Sequence, residues 1–110
     1  MNILPRHDEV VIPPEKFIKY ALNPEMDGNK AIAFELALGY NINNSHKLIE
    51  QIRMNLANFP ASEKEDIGYG KRYEVIMEIT GENKKTAKVL TGWIDDTLNG
   101  EMRLTTVHVD

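Results

Sequence analysis

The sequence predicts an α+β domain, with N-terminal helices packed on a three- to four-stranded antiparallel sheet built from the C-terminal half. Three observations carry that expectation. Asn99-Gly100 joins two strand-like runs, Lys85–Asp95 and Met102–Val109, and such a pair between β-rich segments predicts a type I′ hairpin, because both central residues of that turn need positive φ. Arg72–Thr80 alternates, with Tyr73, Val75, Met77 and Ile79 on one face and Arg72, Glu74, Glu78 and Thr80 on the other, interrupted only by Ile76. Leu48, Ile49, Ile52, Leu56 and Phe59 recur instead at helical spacing.

The remaining elements follow in order. Val10-Val11-Ile12 is a short β-branched run that Pro13-Pro14 ends, and Pro14 suits the first turn of a helix over Glu15–Leu22. Asn23-Pro24 stops that helix, because the residue before proline is pushed out of the α region. After a loop over Glu25–Gly28, Asn29 is expected to cap a helix through Leu38, with Ala33, Phe34, Ala37 and Leu38 as its apolar stripe and Gly39 just past its end. The third helix is expected from Asn44 to Asn58. Pro60–Gly70, polar and turn-rich, reads as an exposed, mobile connection. Gly81–Lys84 is the first hairpin loop, and Val10–Ile12 is the candidate for a fourth, edge strand.

Bulk properties narrow the function classes. At 110 residues the chain is expected to form one domain. It has no cysteine, which excludes disulfides, thiolate zinc sites and cysteine nucleophiles. No apolar stretch approaches the roughly 18 residues of a membrane span, and the start lacks a secretory pattern, so a cytoplasmic protein without membrane contact is expected. A net charge of −4 offers no global attraction to nucleic acid. An RNA-binding role therefore requires a local basic patch. The histidines lie far apart, and Glu63/Asp66 and Asp95/Asp96 lack ligand spacing, so no metal and no cofactor is expected.

Candidate site residues concentrate in the last strand and at the start of the second helix. Arg103 reads first as a solvated cross-strand partner for Glu74 or Glu78, and the sharper reading is a phosphate clamp, because its fork of N–H donors matches phosphate oxygens. Strict alternation sets Arg103, Thr105, Val107 and Val109 on one face against Met102, Leu104, Thr106 and His108 on the other. The hydroxyls of Thr105 and Thr106 can orient a phosphate, or simply serve strand propensity. His108 is a neutral-pH acid or base, or a solvated terminal histidine. Lys30, in a first helical turn where a cation opposes the helix dipole, points to a bound anion or to a side chain reaching into solvent. Tyr69, beside Gly68 and Gly70, is free to stack on a base or donate to a phosphate. Trp93 is expected in the core.

Taken together, Gly28-Asn29-Lys30-Ala31, Leu38-Gly39-Tyr40, Tyr69-Gly70-Lys71-Arg72-Tyr73, Thr91-Gly92-Trp93-Ile94 and Arg103-Leu104-Thr105-Thr106 resemble an uncharacterised bacterial domain family. That family occurs as stand-alone proteins and as C-terminal modules of polymorphic and phage-head-associated toxins. The helices-then-sheet layout is also similar to the small metal-independent RNases that include barnase, RelE-like toxins and colicin-type tRNases. This resemblance implies RNA, tRNA included, as substrate and a small immunity or antitoxin protein as partner. It implies Lys30 and Arg103 as the cationic groups, Thr105 or Thr106 as phosphate-positioning groups, and His108 or Tyr69 as the proton-transfer group. The alternative is a non-enzymatic interaction module using the exposed sheet face or the third helix.

Overall fold

The computed structural model describes residues 1–110. Two α-helices, α1 (Gly28–Leu38) and α2 (Ser45–Asn55), precede a four-stranded antiparallel meander, β1 (Ala61–Lys64), β2 (Arg72–Thr80), β3 (Thr86–Asp96) and β4 (Glu101–Val109), in the spatial order β1-β2-β3-β4. The α+β class and the helices-first order are those the sequence predicts. Phe34 and Leu38 of α1, and Leu48, Ile52 and Leu56 of α2 and its following turn, pack with Val75, Met77, Ile79, Val89 and Trp93 in one hydrophobic core. Burying each such side chain stabilises the fold by about 1.5–3 kcal/mol. Trp93 is buried as expected, and its indole N–H donates to Thr91 Oγ1 (2.8 Å), which donates to the Val75 carbonyl (2.8 Å). That relay leaves no indole proton orphaned in an apolar layer.

Several local expectations change. The fourth strand is β1, inside the segment read as a loop, and Val10–Ile12 contributes only a parallel bridge between Val11 and Arg103 on the free edge of β4. There the Val11 N–H donates to the Met102 carbonyl (2.8 Å), and the Val11 carbonyl accepts the Leu104 N–H (3.0 Å). Ala61-Ser62-Glu63-Lys64 carries no alternating apolar pattern because it is a short, charged edge strand, a composition that discourages pairing with other chains. The β3–β4 hairpin exists, but it is not type I′: Asn99 lacks a positive φ and only Gly100 (φ 68) has one. Asp96 dictates the turn instead, since its Oδ1 accepts from the N–H groups of Leu98 and Asn99, while the Gly100 N–H closes on the Asp96 carbonyl (2.8 Å). The first hairpin loop also extends to Lys85, since Thr80 pairs with Thr86.

The helices shift in similar ways. The segment after Pro14 forms a π-helical stretch over Lys16–Ala21, in which the Leu22 N–H reaches back five residues to the Phe17 carbonyl (2.8 Å). Asp27, not Asn29, caps α1, accepting the Lys30 N–H at 3.1 Å. Gly39 ends α1 at φ 74, as its placement predicts. Helix α2 ends at Asn55, three residues short of the expected Asn58.

Strand β4 departs most from its expected pattern. Gly92 pairs with Thr106 but Trp93 pairs with Leu104, so Thr105 is an extra residue in β4. Below this bulge Met102 and Leu104 face the core, and above it Val107 does. The inward positions therefore change parity at Thr105, which the assumption of strict alternation misses. Gly92 makes the bulge possible: a Cβ there would lie 2.6 Å from Thr106 Cγ2 and 3.3 Å from Thr105 Oγ1. We expect Gly92→Ala to lower unfolding free energy by about 1–3 kcal/mol in urea melts, as overpacking does. Thr106→Ser, which removes the opposing methyl, should recover part of that loss in the double variant. Additive effects would show that the methyl is not what Gly92 accommodates.

Candidate functional site

The free edge of β4 is covered unevenly. Val11 occupies it beside Met102–Leu104, and beyond the bulge the π-helical segment and the start of α1 flank it without closing on it. The gap is a cleft of about 280 Å³ lined by Lys16 and Tyr20 from the π-helical segment, Asp27 and Lys30 from the start of α1, and Thr105 and Thr106 from the bulge. Met26, Ala21 and Val107 complete the wall. In an uninterrupted strand, successive threonines point to opposite faces. The extra residue at Thr105 is what lets both line one cleft.

The cleft holds two ammonium groups and one carboxylate, a local excess of positive charge in a chain of net charge −4. Asp27 Oδ1 is engaged by the Lys30 N–H, and Oδ2 makes no hydrogen bond within the chain. Its negative charge at the α1 N-terminus also offsets the unfavourable position of the Lys30 cation there. Two lysines suit the oxygens of a phosphate, Thr105 and Thr106 border them, and a half-engaged carboxylate beside them can accept a proton.

Of the residues singled out from sequence, Lys30, Thr105 and Thr106 come together in this cleft. Arg103, His108 and Tyr69 do not line it. Arg103 lies on the sheet face away from the helices, where it pairs with Asp96 Oδ2 at 2.8 Å and approaches Glu101 at 4.0 Å. Its cross-strand partners are thus not Glu74, which pairs with Lys64 (3.6 Å), nor Glu78. His108 faces the same side, with Nδ1 3.1 Å from the Val109 carbonyl. Tyr69 is exposed in the β1–β2 connection, next to Gly70, which packs against the Asp95 carbonyl. Sequence reasoning missed Lys16, Tyr20 and Asp27. The four-residue spacing of Lys16 and Tyr20 on a short helix was the available signal, and Asp27 was hidden by assigning the cap to Asn29.

Asp96 is a structural carboxylate. Asn99 holds it below the usual carboxylate range through its side-chain amide, with burial opposing, and the backbone N–H groups of Asn99 and Leu98 and the Arg103 guanidinium adding to the lowering. The neighbouring Arg6 binds the Gly100 carbonyl (2.8 Å) and the Asp95 carboxylate, so the N-terminal segment is anchored to the same hairpin.

Helix α1 has a second unusual flank. Ile32 and Leu36 are exposed, and an apolar groove of about 460 Å³ runs between α1 and the segments at Leu22–Pro24 and Asn41–Asn43, with Glu35 as its one charged side chain. No helix is long and apolar enough to cross a membrane.

Fold and cleft together define a small α+β domain with a cleft of about 280 Å³ at one edge of an antiparallel meander. The chain belongs to the family described as a domain of unknown function, DUF6883, which it matches over residues 3–110. No curated protein and no solved structure matches it.

The lowered Asp96 fixes the sign of one pH effect. A carboxylate depressed on folding contributes stability that is fully present above the unfolded-state value, near 4, and is lost as pH falls through the lower folded-state value. Asp96→Asn should therefore reduce Tm at pH 7, and the gap from the wild type should shrink as thermal melts are repeated below pH 4. A gap independent of pH would remove the ionised carboxylate from the account.

Proposed function

We propose that the domain is a metal-independent, toxin-type ribonuclease that binds RNA, tRNA included, through the β4-edge cleft and acts by 2′-hydroxyl attack. The observation that carries this reading is the convergence of Lys30 with Thr105 and Thr106, 75 and 76 positions away in sequence, around a cleft that also holds a second lysine and a carboxylate. The helices-before-meander order adds the architectural resemblance to small RNases, and fold alone does not imply activity.

The chemistry assigns roles. Asp27 accepts the 2′-hydroxyl proton as the 2′-oxygen attacks the adjacent phosphorus. The Lys16 and Lys30 ammonium groups stabilise the charge that builds on the non-bridging oxygens, and the Thr105 and Thr106 hydroxyls orient them. Lys16 returns a proton to the 5′-oxygen as the P–O5′ bond breaks. The products are a 2′,3′-cyclic phosphate and a free 5′-hydroxyl. Lys16 thus takes the cationic role expected of Arg103, and Asp27 takes the proton-transfer role expected of His108 or Tyr69. A small immunity protein that covers this cleft would silence the activity.

A second reading, a non-enzymatic interaction module, is favoured by one observation: the exposed Ile32 and Leu36 beside the apolar groove. Patches of this kind mark partner surfaces more often than isolated apolar residues do.

With purified protein and total tRNA in EDTA, we expect cleavage with cyclic-phosphate ends. Lys16→Ala, Lys30→Ala and Asp27→Asn should each lower the rate by about a hundredfold or more. Asparagine caps helices about as well as aspartate, so the last variant tests chemistry rather than folding. Arg103→Ala and His108→Ala should retain cleavage. Absence of cleavage by the wild type, together with a stoichiometric complex with a neighbouring gene's product that Leu36→Glu disrupts and Lys30→Ala does not, would replace this reading with the second.

A further inference from the structure

Tyr20 is the only aromatic residue lining the cleft, and the fold leaves it half in water. Phe17, Ala21 and Leu22 of the same segment are buried, whereas Tyr20 is 51% exposed. Met26, also lining the cleft, is 62% exposed. The Tyr20 hydroxyl has no hydrogen-bond partner within the chain, so the phenol is not held in place by a polar contact. An exposed ring in a cleft that two lysines also line is the arrangement that takes a nucleobase on its face while the attached phosphate is held alongside.

We infer that Tyr20, with Met26, forms a stacking shelf for one unpaired nucleobase, so that the cleft selects single-stranded over base-paired RNA. The inference rests on the ribonuclease reading for its choice of ligand and adds the class of substrate. Two arguments favour the single strand. Only Lys16 and Lys30 can neutralise phosphates in the cleft, in a chain of net charge −4, so backbone electrostatics are too weak to hold RNA by themselves. Stacking on one aromatic ring strengthens binding by about tenfold or more, and in a duplex that base face is already covered by its neighbours. The cleft, at about 280 Å³, also takes a nucleotide-sized group rather than a base pair.

The test is fluorescence anisotropy with a labelled 2′-O-methyl octaribonucleotide, which the proposed chemistry does not cleave, used single-stranded and annealed to its complement. Cleavage of the unmodified octamer is followed in parallel. The single strand should bind at least about tenfold more tightly than the duplex. Tyr20→Phe should keep that preference, because the ring face survives. Tyr20→Leu should lose about tenfold in single-strand affinity with its circular dichroism and Tm unchanged, and Lys16→Ala/Lys30→Ala should lose binding. The slope of log K against log salt concentration should be about −1.4, from two phosphate contacts at about 0.7 each. Equal affinity for both forms, no binding to either, or no effect of Tyr20→Leu overturns the shelf. If the octamer is cleaved while Tyr20→Leu binds normally, the shelf falls and the ribonuclease reading stands. If the single strand is bound with the expected Tyr20 dependence and never cleaved, the shelf stands and the ribonuclease reading falls.

Discussion

One extra residue in β4, accommodated by the missing side chain of Gly92, is the constraint on which the rest of the structure depends. Without the bulge at Thr105, a strand that points Met102 and Leu104 into the core would point Val107 out of it. With the bulge, apolar residues on both sides of it reach the same core, and two threonines line one opening at the sheet edge. The core and the cleft are therefore set by the same local irregularity. Bulges recur beside functional sites because they re-aim side chains without breaking the sheet.

Helix α1 divides the surface in a related way. It carries only two charged side chains, Lys30 and Glu35, and they fall on opposite flanks. Asp27 and Lys30 border the polar cleft, whereas Ile32 and Glu35 border the apolar groove. Phe34 and Leu38 occupy the face between these flanks and the sheet, packed in the core. The helix is thus apolar nearly all round while being covered on one side only. The N-terminal segment completes the frame: Arg6 ties it to the β3–β4 hairpin, and Arg53 of α2 holds it through the Val10 carbonyl at 2.9 Å. That segment fixes how much of the β4 edge is covered, and hence where the cleft begins.

Much of the fold was legible because its signals are local. The alternation of β2, the helical spacing of Leu48, Ile52 and Leu56, and Gly39 at a helix end each reflect a rule that acts within a few residues. The β3–β4 hairpin was legible too, although the turn type was not, because the Asp96 carboxylate organises that loop and its influence does not show in the Asn-Gly dipeptide. Strand β1 was illegible because an edge strand needs little apolar surface, and Ala61-Ser62-Glu63-Lys64 reads as loop by composition. The cleft was half legible. Lys30, Thr105 and Thr106 stood out as individual residues, but Arg103 looked equally available until Asp96 and Glu101 proved to hold it.

By itself, the sequence determined the α+β class, the order of helices before strands, the amphipathic faces that make the core, and the residue types able to meet a phosphate. Periodicity and turn chemistry encode these features within windows of a few residues. Only the tertiary structure decided which of those residues share a surface. That choice depends on the one-residue shift in β4, on which sheet face the helices cover, and on where Val11 stops along the strand edge. The last of these joins Val11 to Arg103, 92 positions on, and all three rest on packing between elements that no local pattern records.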